Sequence, residues 1–137
     1  MSFASFGFRP QIAAGINRLG YVTPTPIQEK AIAPVLAGKD IMGLAETGTG
    51  KTAAFVLPAL QRLHSPAEGS GRGPRMLILT PTRELAAQVT EATRNYGRFL
   101  NPGSIPSRTA PPVRRGPGVP ASTVARSVMA RFRPPMA

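Results

Sequence analysis

The stretch LAETGTGKT, Leu44 to Thr52, decides how the rest of the chain is read. It closes on Gly50, Lys51 and Thr52 in the manner of a phosphate-binding loop of pattern G-x-x-x-x-G-K-[ST], with Ala45 standing where the first glycine is usual. Gly48 and Gly50 permit the backbone turns that aim successive N–H groups at phosphate oxygens, and a following helix adds the positive end of its dipole. In such a loop Lys51 reaches the β- and γ-phosphates of a nucleoside triphosphate, and the Thr52 hydroxyl ligates Mg2+. The candidate nucleotide-binding run is therefore Glu46, Thr47, Gly48, Thr49, Gly50, Lys51 and Thr52.

Both flanks agree with that reading. DIMGLA, Asp40 to Ala45, is a short apolar run suited to a buried strand, and KTAAFVLPALQRLH reads as a helix with a kink expected at Pro58 and an end at His64. Upstream, Ile12, Ile16 and Leu19 recur at helical spacing between Pro10 and Gly20. A second helix is predicted from Thr25 as cap through Pro26, with Ile27, Ala31 and Val35 on one face, Gly38 as its stop and a kink or break at Pro34. Downstream, AEGSGRGPR is a polar connection, and MLILT, Met76 to Thr80, has the continuous apolar character of a parallel strand covered on both faces. From Pro81 a further helix carries Leu85, Val89 and Ala92 at helical spacing. Strand, loop, helix, strand and helix make a βαβ unit plus one more helix, so the class is α/β.

The chain changes character near residue 100. All six acids lie within residues 1–100, together with eleven Lys and Arg, whereas residues 101–137 hold six arginines, no acid and eight of the 16 prolines. Low hydrophobicity with proline, glycine and arginine predicts a disordered basic tail over 101–137, in which ASTVARSVMARF has the makings of a turn or two of helix. The basic balance points to polyanionic partners, although charge alone fits a merely solvated surface equally well. The absence of cysteine excludes disulfides and cysteine-based metal sites. Neither a signal peptide nor a run of about 18 apolar residues is present, so the expectation is a soluble cytoplasmic protein with no membrane role.

Two further segments narrow the class. GYVTPTPIQ, Gly20 to Gln28, stands before the loop and PTRELA, Pro81 to Ala86, follows the second apolar run. With AETGTGKT they resemble the Q motif, motif I and motif Ia of DEAD-box ATP-dependent RNA helicases, in the family's order and spacing over about residues 1–100. The opening residues are most similar to the bacterial RhlE-like subgroup. The resemblance implies a partial RecA-like P-loop domain, a parallel sheet flanked by helices, with ATP and Mg2+ as cofactors and RNA as partner. By the same resemblance Gln28 reads adenine through two hydrogen bonds, Phe3 packs against the base, and Pro81, Thr82 and Arg83 contact the RNA backbone. Thr25-x-x-Gln28 is also a capping box, and Thr82, Arg83 and Glu84 also suit an ordinary first helical turn. The family more often has glutamine where Glu46 stands.

Several parts of such an enzyme are missing. Aspartate occurs once, at Asp40, ahead of the loop, and the acids after the loop, Glu68, Glu84 and Glu91, follow no apolar strand. No carboxylate is therefore placed to hold the metal and position water, the Asp-Glu-Ala-Asp motif and the second RecA-like domain are absent, and no complete catalytic set exists. The expectation is an ATP-binding fragment that does not unwind RNA alone. The alternative is an ATP-independent nucleic-acid-binding module using the basic tail. Two parallel strands do not make an independent sheet, so apolar faces are expected to lack partners. The abrupt change near NYGRFL leads us to expect a family sequence interrupted by a frameshift or a misread gene end.

Overall fold

The structure, a computed structural model, describes residues 1–64 and 76–100 in full and residues 129–132 as backbone. A 3-10 turn at Phe3–Phe6 precedes α1 (Pro10–Arg18), α2 (Pro26–Leu36) and α3 (Lys51–His64); β1 (Met76–Leu79), α4 (Arg83–Tyr96) and β2 (Met129–Phe132) follow.

Helices α1 and α2 start and stop where the punctuation predicts. Each begins on its proline, whose missing N–H is no loss in a first turn and whose fixed φ suits the helix. Each ends on a left-handed glycine, Gly20 and Gly38, beyond which Tyr21 N donates to Ile16 O at 3.2 Å and Lys39 N to Pro34 O at 3.0 Å. Arg62 from α3 adds a guanidinium bond to Val35 O at 3.3 Å, covering one of the last carbonyls of α2. Neither internal proline breaks its helix: α2 runs through Pro34 and α3 through Pro58. Pro34 removes only the one ladder bond that its own N–H would make. Pro58 is fully buried, and packing of the helix on both sides of it offsets the missing donor.

Helix α3 is the central element, with α2 packed along it and α1 and α4 against it. Its Val56, Leu57 and Leu60 meet Ile12 and Ile16 of α1, Ile32 of α2 and Val89 and Tyr96 of α4, and Phe3 and Leu100 close the cluster. Each large aliphatic side chain so buried contributes roughly 1.5–3 kcal/mol. The predicted stripes are recovered at Ile12, Ile16, Ala31, Val35 and Val89, while Leu19 is left exposed.

The sheet departs from expectation. Asp40 to Ala45 forms no strand, and Ile41, Met42 and Leu44 are exposed. Met76–Leu79 does form a strand, but it pairs antiparallel with β2, Met76 opposite Phe132 and Leu79 opposite Met129. The predicted parallel sheet is therefore replaced by a two-stranded antiparallel one. A strand satisfies its backbone only through a lateral neighbour, and Asp40 to Ala45 finds none among the described residues. β1 is half covered, with Leu77 and Leu79 exposed and Met76 and Ile78 turned inward, unlike a strand buried on both faces. In the tail, Met129–Phe132 is extended rather than helical. The predicted disorder of the other tail residues and the connection over residues 65–75 lie outside the described residues.

Candidate functional site

The site is assembled by the loop between Leu36 and α3 and the head of α2. Gly48 and Gly50 turn the loop with φ of 82° and 81°, a left-handed backbone that only glycine adopts readily. Thr49 Oγ1 donates to Glu46 O at 2.7 Å, tightening the turn. α3 then starts at Lys51, so its free N–H groups face the loop. The Lys51 ammonium donates across the loop to the Ala45 carbonyl. Glu46, Thr47 and Gly48 are exposed, whereas Thr49, Gly50, Lys51 and Thr52 are half-buried.

Gln28 ties α2 to this loop. Its Oε1 accepts from Thr25 N at 2.9 Å, the capping-box bond, and its Nε2 donates to Gly50 O at 3.1 Å. These two partners, one N–H and one carbonyl, fix which end of the amide is which. Thr25 Oγ1 donates to Thr49 O at 2.8 Å beside it. The side chain of Gln28 is only 3% exposed, yet its amide keeps one N–H and one acceptor position unused by these bonds. A Cβ at Gly50 would collide with Gln28 Nε2, so a larger residue there must displace the amide in addition to straining the left-handed backbone.

Phe3 is buried and belongs to an aromatic cluster: its ring stacks on Tyr21 at 6.2 Å and meets Phe6 edge-on at 6.2 Å. Tyr21 continues the cluster to Tyr96, with the two phenol oxygens 3.4 Å apart. Burial, then the hydrogen bond and the nearby charge of Tyr21, push the Tyr96 phenol well above its ordinary pKa. Pro81, Thr82 and Arg83 stand apart from this network at the head of α4. Thr82 is the cap, its hydroxyl accepting from Leu85 N at 3.1 Å, and Thr82 and Arg83 are exposed.

In the sequence Thr25 is marked only as a helix cap; its bond to the loop joins residues 24 apart and leaves no local mark. Gln61 was missed altogether: from α3 its Oε1 accepts from Arg9 N at 3.0 Å and its Nε2 donates to Gly7 O at 3.2 Å. The only trace of it in the sequence is a polar residue following the apolar run of α3.

The loop geometry suits phosphates: two left-handed glycines, a helix start and an ammonium converge on it. A metal is less well provided for. Thr52 supplies one hydroxyl, and among the described residues no three His, Asp or Glu side chains gather, so these residues do not form a metal site of their own. Among the described residues no helix is long and apolar enough to cross a membrane.

These features have the geometry of a phosphate loop leading into a helix. The sequence model of the DEAD/DEAH box helicase family matches residues 25–111, more than half of the chain, and the chain belongs to that family. It is 48% identical over 100 residues to an ATP-dependent RNA helicase DeaD of Buchnera aphidicola, covering 73% of this chain and 16% of that protein. Over 104 residues it is 48% identical to the ATP-dependent RNA helicase DBP10 of Candida albicans, covering 76% and 11%. Among solved structures it is similar to the RNA helicase Prp28 of Chaetomium thermophilum bound to ADP, with a TM-score of 0.66, 39% identity and coverage of 72% and 24%. The fold is thus a partial, helix-rich RecA-like domain, and the chain spans less than a fifth of the length of these two relatives.

Proposed function

We propose that this chain holds ATP through its phosphate loop as part of the ATP-dependent RNA helicase function of the DEAD-box family. The observation that carries the reading is the junction of Gln28 and Thr25 with Gly50 and Thr49, which joins the segment proposed to read the base to the loop proposed to hold the phosphates. In this reading Gly48 and Gly50 offer backbone N–H groups, Lys51 exchanges the Ala45 carbonyl for phosphate oxygens, and the free N–H and acceptor position of Gln28 read adenine beside Phe3. Bound ATP would supply a hydrolysable phosphoanhydride. Thr52 would hold Mg2+ only together with the nucleotide's own oxygens. Exposed Thr82 and Arg83, with Pro81, would contact an RNA backbone from the head of α4, where free N–H groups and a cation coincide. A cytoplasmic location accompanies this reading.

Titration of the 137-residue chain with ATP by calorimetry tests it. Binding that is lost in Lys51→Ala and weakened in Gln28→Ala is expected. RNA binding indifferent to ATP and lost on deletion of residues 101–137 would replace the reading with an ATP-independent basic module.

A further inference from the structure

Gln61 occupies a position that helix formation does not explain. It lies on α3 about three turns beyond Lys51, half-buried, and its amide engages the backbone of a segment more than fifty residues away. Oε1 takes the Arg9 N–H at 3.0 Å and Nε2 gives to the Gly7 carbonyl at 3.2 Å, as a neighbouring peptide unit would. The N-terminal region is thereby fastened to the loop–helix unit at two polar points. One is the head of α3, through Thr25–Thr49 and Gln28–Gly50; the other is Gln61. Phe3, four residues before Gly7, is itself held by stacking on Tyr21.

We propose that Gln61 is a positioning residue for base recognition: by clamping the Gly7–Arg9 backbone to α3, it holds the Phe3 segment in register with the phosphate loop. The inference rests on the reading of the site as an adenine-nucleotide site. The amide bonds of Gln61 reach Arg9 and Gly7 rather than the loop, so its loss leaves the phosphate grip of Gly48, Gly50 and Lys51 intact and loosens the base side alone. Removing both bonds should weaken ATP by up to about 25-fold, at roughly fivefold per hydrogen bond, and leave inorganic tripolyphosphate unaffected.

The test measures ATP and tripolyphosphate binding by calorimetry on the full chain, as wild type, Gln61→Leu and Gln61→Glu, with hydrogen exchange at the Arg9 amide as a direct reading of the clamp. Expected is a fall in the ATP-to-tripolyphosphate affinity ratio and faster Arg9 exchange in Gln61→Leu. An intermediate ratio is expected in Gln61→Glu, which keeps an acceptor for Arg9 N and loses the donor to Gly7 O. If Gln61→Leu does not fold, the Gln61→Glu ratio decides by the same criterion. An unchanged ratio, or ATP and tripolyphosphate falling together, overturns the inference and leaves the nucleotide site standing. A wild-type chain that binds neither ligand overturns the nucleotide reading and this inference together.

Discussion

Helix α3 and the apolar segments expected to form a sheet both carry apolar side chains but meet different fates. Around α3 the apolar side chains are buried, with Leu57 and Val56 at 0% exposure, whereas Met42 at 92% and Leu44 at 81% lie open. The cause is where each kind of element finds its hydrogen bonds. A helix satisfies its backbone internally and then needs only one covered face, which α1, α2 and α4 provide for α3. Asp40 to Ala45 needs a lateral strand before its side chains are placed at all, and β1 pairs with β2 instead.

The largest expected effect breaks the helical side of this contrast. Leu57→Ala should cost about 2–5 kcal/mol through lost burial and a residual cavity, seen as a large fall in the urea midpoint by circular dichroism. Leu77→Ala on β1 should move the same midpoint by no more than about 0.5 kcal/mol; equal effects would show that β1 belongs to the core. Next comes Gly50→Ala, which forces a Cβ into a left-handed backbone at about 1–2 kcal/mol and into the Gln28 amide. ATP binding by calorimetry should be lost while α1 and α4 stay helical.

A third test uses pH. The Tyr96 phenol has a folded pKa raised above its ordinary value of 10.0, so above that pH the unfolded chain releases a proton that the folded chain keeps. Stability is full below pH 10 and falls above it by about 1.4 kcal/mol per pH unit. Urea melts across this range should show that slope, and Tyr96→Phe should remove it. Smallest, Thr82→Ala removes the α4 cap and should cost about 1 kcal/mol, measured by melting, with the α2–α3 unit unaffected.

Much of the helical half was legible because its signals are local. Pro10, Gly20, Pro26 and Gly38 mark ends that depend on φ and a missing N–H, properties carried by the residue itself. Gln28 was legible as a cap, since Thr25 lies three residues before it, but its bond to Gly50 joins residues 22 apart and leaves no periodic mark. Gln61 and Arg62 were illegible for the same reason. For Asp40 to Ala45 the apolar run was read as a strand because composition reports what a segment can become, whereas pairing depends on a second segment.

By itself, the sequence determined the family, the phosphate loop, the order of helices α1 to α4 and the limits of α1 and α2, because glycine, proline and the loop lysine act through their own covalent geometry and charge. Only the tertiary structure decided that Phe3 stacks on Tyr21, that Gln28 and Thr25 lock the loop to α2, that Gln61 clamps the N-terminal segment, and that β1 pairs antiparallel. Each of these is a contact between distant residues, set by which surfaces and unpaired backbone groups the folded chain brings within hydrogen-bonding reach.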